Sequence, residues 1–321
     1  MLANGYSTKI IADSMGPSGK RLTTWELCYP RIVHSELMTH RAFSRNSASS
    51  RAIPIEKMLA RIKEQPAMPI FWGKNQPGMQ AAEELGPIDK EEAIQEWLAL
   101  RDDAVIGASR LNTLGLHKQL CNRPTEPWMF ITVILSSTEF DNWFGLRDHK
   151  EAQPEIAWVA KDMRGKYEAS KPQELAEGQW HLPYITLEDI ADIRLNFSEQ
   201  TREQQDRILA MISTGRCARV SYLTHDGKRV LGEDIKLHDK LKIGGHWSPF
   251  EHAARAVTKG QWAMRSQEIL DICTEFDELF DPALVGNLVG WAQYRKFFEP
   301  CQEMRRKFKW DNSPTLLNWR W

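Results

Sequence analysis

The segment from Thr39 to Arg51 reads THRAFSRNSASSR and is where chemistry is densest. It holds three arginines, four serines, an asparagine and a histidine within thirteen residues. Arginine presents a rigid fork of donors matched to phosphate, and serine and asparagine add neutral donors. Such a set suits a small anion, a nucleotide phosphate for instance. A polar surface loop rich in turn and cap residues would carry the same composition, so composition alone leaves the two readings about level.

Spacing separates them. His40, Arg41, Ser44, Asn46, Ser49 and Arg51 fall in the order H-R-x-x-S-x-N-x-x-S-x-R. Three further blocks stand elsewhere: DNWFGLRDHKEAQPEI from Asp141 to Ile156, ARVSY from Ala218 to Tyr222, and HWSPFEH from His246 to His252. Together they resemble the flavin-dependent thymidylate synthases, whose patterns are R-H-R-x-x-S-x-N-E-x-S-x-R-Y, N-F-x-x-L-R-x-x-x-[HA]-A-Q-x-E-I, A-R-V-S-[FY] and H-x-[ST]-P-F-E-H. Taken singly, each match has a plain alternative: Arg147 at a helix end favours the negative dipole terminus, and His246 could serve a turn. Several blocks together make coincidence a poor account. The resemblance covers about half of the chain and leaves residues 55–115 and 165–205 without a functional reading. The block order differs from the common arrangement, with ARVSY and SPFEH following the R-H-R loop, as in a circular permutation of a virus-type member. Permutation is tolerated where termini lie close together.

The resemblance implies a fold and an activity. The fold would be α/β, a central sheet wrapped by helices, with residues 1–170 and 171–321 folded as one catalytic unit. The activity would be methylation of dUMP to dTMP at C5, with methylenetetrahydrofolate as carbon donor, FAD as hydride carrier and NADPH as reductant. The cofactor would carry the hard chemistry and the protein would orient and shield the reactants. Ser49, Arg51 and Arg123 match nucleotide-binding positions, and Glu36 stands where a family glutamine would face the base. Arg147 matches the arginine at the pyrimidine ring, and His246 a histidine near flavin and folate, so both are assigned as catalytic. His40, Arg41, Asn142, Ser221, Ser248 and Glu251 match flavin contacts. No metal is implied. The partners would be a nucleotide, a folate and further copies of the chain, a tetramer or dimer sharing active sites.

Departures from the pattern are specific. The first arginine is Thr39, the glutamate Ser47, the tyrosine Ala52, and the glutamine Glu36; Ser136, Thr138 and Glu151 also differ. Flavin binding is the property these put in question. A carboxylate at Glu36 accepts from an amino group, as on cytosine, and is a poor neighbour for a carbonyl oxygen such as uracil O4; its simplest alternative is an ion pair with an arginine of the Thr39–Arg51 loop. Three outcomes stay open: methylation of dUMP, folate-dependent methylation or hydroxymethylation of dUMP or dCMP, and an inactive nucleotide-binding homologue.

These residues need a scaffold. Residues 7–13 and 22–28 predict strands joined by a turn at Gly16-Pro17-Ser18-Gly19. Residues 31–41 predict a short helix and 44–51 a loop. Pro54 opens a helix through Arg61, and 65–90 is a Pro-, Gly- and Gln-rich excursion. A helix spans 90–114, with Asp89 as N-cap and Gly115 as stop. Trp128 to Leu135 is a buried strand, 138–147 a short helix, and 154–169 a helix with Ile156, Val159, Met163 and Tyr167 on one stripe. The stretch 170–187 is a connector, helices follow at 199–213 and 232–242, and 261–300 is helical with a break at Asp281-Pro282. Within it, NLVGWAQYRK resembles the helix that enters the R-H-R loop.

Composition bounds what remains. The chain has 321 residues, 42 basic and 43 acidic, for a net charge of −1. That disfavours a global grip on a nucleic acid polymer. Mean hydropathy is −0.50, and no apolar run approaches the roughly 20 residues of a membrane span. Five scattered cysteines without a C-x-x-C pair argue against a disulfide framework or a four-cysteine zinc site. The expected compartment is the cytoplasm, of the host if the chain is viral. The 13 tryptophans are read mostly as core and interface residues.

Overall fold

The computed structural model describes residues 5–220, 230–258 and 286–298. Strands β1 (Ser7–Met15) and β2 (Arg21–Pro30) form a hairpin. Gly19 turns it with φ of 76°, a left-handed conformation that glycine adopts without penalty. A 3-10 turn (Arg31–Val33) leads into α1 (His34–Met38), then β3 (Ser44–Ser47), α2 (Ile55–Glu64), α3 (Pro87–Thr113) and α4 (Lys118–Cys121). After a 3-10 segment (Arg123–Trp128) come β4 (Phe130–Ser137), α5 (Asp141–Arg147) and α6 (Pro154–Ala169). Then follow β5 (Gln173–Glu174), β6 (Trp180–His181), α7 (Leu187–Asn196), α8 (Arg202–Arg219) and α9 (Leu231–Ile243). A 3-10 turn (Ser248–Glu251), β7 (Ala254–Ala256), β8 (Trp291–Gln293) and a last 3-10 turn (Tyr294–Phe297) complete the described elements.

The main sheet has the order β3-β4-β2-β1-β5, antiparallel except for the β1/β5 pair. Register explains its two faces. Trp25, Leu27 and Tyr29 pair with Leu135, Val133 and Ile131, so this alternate set shares one face. There it packs against Phe140, Trp143, Ile156, Val159 and Met163 from α5, α6 and the turn before them. The opposite face carries Ile134 against Cys217 and Val220 of the α8 end. β4 is thus covered on both sides, which is why it reads as an unbroken apolar run. The small sheet β6-β7-β8 holds a second cluster, with Trp291, Ala254 and Ala256 against Leu22 of β2.

Most predicted elements stand, within a few residues. The exceptions have physical causes. Residues 44–47 are an edge strand rather than a loop; their inward side chains, Ser44 and Asn46, are buried polar groups, so no apolar alternation announces them. Asp89 lies in the first turn of α3, and Gly86 is its N-cap with Pro87 following. The connector 170–187 contains β5 and β6, one strand for each sheet. α7 had no predicted counterpart; Thr186 caps it in a capping box with Asp189. α8 continues to Arg219 through the expected break. Residues 291–297 form β8 and a 3-10 turn instead of a helix, so the likeness of NLVGWAQYRK to the loop-entry helix does not hold. The helix expected over 261–285 lies outside the described residues. Among the described residues no helix is long and apolar enough to cross a membrane.

Candidate functional site

Three groups of polar residues gather the sequence motifs. The first is centred on Arg147, the last residue of α5. Its Nε donates to His40 Nε2 (3.1 Å), and its Nη1 donates to the Glu36 carboxylate. Its Nη2 donates to the Glu36 carbonyl oxygen (3.3 Å) and to Thr39 Oγ1 (3.1 Å). Four of the five guanidinium hydrogens are therefore engaged. Glu36 and Thr39 sit on and just after α1, whose single turn brings both to the same side. The side chains of Arg147 and Glu36 keep 19% and 26% of their surface exposed, so the pair borders solvent while making four contacts.

His40 is the buried member. Its ring stacks on Phe43 (5.7 Å) and meets the edge of Trp143 (4.9 Å). Burial and the Arg147 cation both press its pKa below the usual histidine value, against a hydrogen bond with Asn142 that raises it. Because Arg147 donates to Nε2, that nitrogen carries a lone pair and the proton sits on Nδ1. Glu36, His40, Asn142 and Arg147 thus form one cluster, assembled from two segments separated by more than a hundred residues.

The second group surrounds Glu126. One carboxylate oxygen, Oε1, receives Ser50 Oγ (3.0 Å) and Arg123 Nη1 (2.8 Å), and Arg31 Nε lies 3.0 Å from it. Asn122 donates to the carbonyls of Ser50 (2.7 Å) and Ile53 (3.1 Å), which pins the loop that follows β3. Ser49 is half-buried on that loop, and Arg51 and Arg123 are exposed. No hydrogen bond or ion pair among the described residues joins this group to the Arg147 cluster.

The third group is at the Ser248–Glu251 turn, which packs on β3. Glu251 accepts from Arg295 Nη1. Gln293 Nε2 bridges Ser44 Oγ (3.0 Å), the Asn287 side chain (3.0 Å) and the Glu251 carbonyl (3.2 Å). Asn46 donates to the Cys217 carbonyl at 2.8 Å. The S-x-N spacing of the motif is therefore strand alternation: Ser44 and Asn46 face the turn and the α8 end, and Arg45 points away to the carbonyls of Met38 and His40. His246 and Ser248 are exposed and make no side-chain hydrogen bond among the described residues. Arg41 is exposed on the opening of the signature loop. Ser221 lies outside the described residues.

Behind these groups run two buried networks that sequence reading did not find. In one, Ser14 Oγ meets His181 Nδ1 (2.8 Å), His181 Nε2 meets Thr24 Oγ1 (2.8 Å), Thr24 meets Ser136 Oγ (2.6 Å), and Ser136 meets His252 Nδ1 (2.9 Å). It ties both sheets to the residue after the Ser248–Glu251 turn. His252 Nε2 is buried and has no partner among the described residues. Burial brings both histidines down to about 3, with Asp13 opposing the shift at His181 and His181 adding to it at His252. The other network is Arg216 between Asp189 (2.6 Å) and Asp234 (3.0 Å), with Arg219 on Asp234 as well (2.7 Å). Only the end of this second network, Arg219 in ARVSY, carried a motif signal. Among the described residues no group of three or more His, Cys, Asp or Glu is placed to hold a metal ion.

No family model matches this chain, and no curated protein matches it. Among solved structures it is similar to a UMP/dUMP methylase, PolB from Streptomyces cacaoi, in complexes with 5-Br UMP and with 5-Br dUMP. The TM-scores are 0.44 and 0.43, at 14% and 13% identity. The match covers 52% of this chain in each case, and 91% and 92% of the methylase chains.

Proposed function

We propose that this protein transfers a one-carbon group to C5 of a pyrimidine deoxynucleoside monophosphate, with dUMP as the first substrate to test. The donor would be methylenetetrahydrofolate, and reduced FAD, recharged by NADPH, would supply the hydride. The observation that carries this reading is the Arg147 cluster. Two segments far apart in the sequence deliver Glu36, His40, Asn142 and Arg147 to one hydrogen-bonded set, Arg147 reaching 107 residues back to His40 and 111 to Glu36.

In this reading the exposed arginines Arg51 and Arg123, with Ser49, hold the nucleotide phosphate. The guanidinium of Arg147 lies along the base, fixed in plane by His40, Thr39 and Glu36. Such fixing is what orientation catalysis requires, because a donor already held spends no further ordering on the reaction. Of the residues expected to contact the flavin, Arg41, His246 and Ser248 are exposed and open to an anionic dinucleotide cofactor. Glu251, by contrast, is engaged by Arg295. When bound, a flavin would supply hydride transfer that no side chain here can supply. In this reading the protein is a homo-oligomer in which neighbouring copies complete each site.

One observation favours keeping the amino-pyrimidine alternative in the assay. Arg147 holds one oxygen of Glu36, and among the described residues the other accepts no hydrogen bond, leaving an acceptor beside the cluster. The test is mass spectrometry of the nucleotide after incubation with methylenetetrahydrofolate and equal dUMP and dCMP, with and without FAD and NADPH. A methyl product that needs both cofactors is expected. A hydroxymethyl product without reductant would replace the flavin step with water addition. No turnover of either nucleotide would overturn the proposal.

A further inference from the structure

The signature loop has a second side. Ala48 and Ser50 alternate with Ser49 and Arg51, and they line a cavity of about 380 Å³ to which Ser49, Arg51 and Arg123 do not contribute. This volume falls within the usual range for small-molecule pockets, roughly 300–1,000 Å³. Cys28 and Thr132 lie on its sheet side, and α2 contributes Met58, Arg61 and Ile62. Trp128 and Arg31 complete the wall nearest the Glu126 group.

The wall has an apolar part and a charged part. Met58, Ile62 and Trp128 belong to one packed, nearly buried cluster and form the apolar floor of the cavity. Arg61 is exposed and has no hydrogen-bond or ion-pair partner among the described residues. Arg31 is held at Nε by Glu126 (3.0 Å), while its terminal nitrogens donate no hydrogen bond among the described residues. Glu64 also lines the cavity, so the charged wall carries an excess of one positive charge. That balance matches a monoanion better than a phosphate dianion. Burial pushes the Cys28 thiol up to about 11, so it is a neutral wall and not a nucleophile.

We infer that this cavity is a second small-molecule site that takes a flat organic monocarboxylate, its ring against Met58, Ile62 and Trp128 and its carboxylate between Arg31 and Arg61. The inference stands on the cavity alone and does not depend on the proposed reaction. Titration calorimetry of the full chain with 2-naphthoate tests it. One binding event per chain is expected. Arg61→Ala and the neutral analogue 2-naphthalenemethanol should each weaken binding by about tenfold or more, the scale of a charge-assisted contact. Cys28→Phe, which fills the cavity, should abolish binding with the melting transition retained. Arg51→Ala, outside the cavity, should leave it unchanged. Absence of binding at millimolar ligand, binding indifferent to Arg61→Ala, or binding lost in Arg51→Ala would each overturn the assignment.

Discussion

Replacing Arg216 by methionine probes how the α8 end is held. The side chains of Arg216, Asp189 and Asp234 are 8%, 5% and 0% exposed. Methionine preserves bulk and removes the charge, which leaves two carboxylates in a dry environment. Breaking a buried pair this way costs about 3–5 kcal/mol. Asp234 retains Arg219 (2.7 Å), and Asp189 retains Thr186 as a donor, so the expected loss is at the lower end, about 3 kcal/mol. Urea denaturation followed by tryptophan fluorescence measures it. Acid gives a second readout. Burial raises the Asp189 carboxyl, but hydrogen bonds from Arg216 and Thr186 outweigh this and bring it to about 2 from an ordinary 3.8. A depressed carboxyl stabilises the fold above the unfolded value and loses that contribution as pH falls towards the folded one. The contribution is about 2 kcal/mol, lost between pH 4 and pH 2. In the variant, burial acts without the arginine, so acid sensitivity should begin at higher pH. Adding Asp189→Asn should restore at least half of the loss, because a neutral amide needs no cation. A loss under about 1 kcal/mol, or no recovery in the double variant, would refute this account of the network.

Three further outcomes follow from the geometry. Nitrogen-resolved NMR of His40 should show the Nδ1–H tautomer at pH 7, with titration below the usual histidine range; Arg147→Ala should move that titration upward, and an Nε2–H tautomer would contradict the Arg147 contact. His181 and His252, both near 3 in the fold, stay neutral at pH 5 while the unfolded chain protonates both. Their contribution to stability is therefore full above about pH 6.5 and declines below it, by about 2.7 kcal/mol per pH unit near pH 5; denaturation at pH 5 and 6 should show His252→Ala halving that contribution. Gly215 packs α8 on α9, where an added Cβ would lie 2.3 Å from the Asp234 carbonyl oxygen. Gly215→Ala should cost about 1–3 kcal/mol in urea denaturation despite alanine's better helix propensity, with an unchanged or raised stability counting against the close approach.

The sequence was most legible where one physical cause acted alone. β1, β2 and β4 alternate or run apolar because one or both faces are covered, and α6 shows its buried stripe. Legibility failed where polar residues do structural work. β3 carries no apolar alternation because Ser44 and Asn46 are buried by hydrogen bonds with Gln293, Asn287 and the Cys217 carbonyl. Those partners lie 171 to 249 residues away, and no local pattern reports them. The same holds for Arg216, Asp189 and Asp234, unremarkable singly on three different helices. The motif spacing located the residues of the Arg147 cluster but could not say which of them would touch.

The departures from the motif pattern that the sequence resembles are also more coherent than they look along the chain. Glu36 stands in place of a glutamine and Thr39 in place of an arginine, three residues apart and apparently unrelated. In the fold both bond the same guanidinium, that of Arg147. One substitution removes a positive charge and the other adds a negative one, so a cluster that the pattern would make doubly positive becomes neutral. Coulomb attraction for an anionic ligand at this position is correspondingly reduced, and contact with a neutral ring or an amino group gains in proportion. Both residues bond the guanidinium of Arg147, which makes four hydrogen bonds in all among the described residues. The pair holds Arg147 rigid and answers its charge from within the chain.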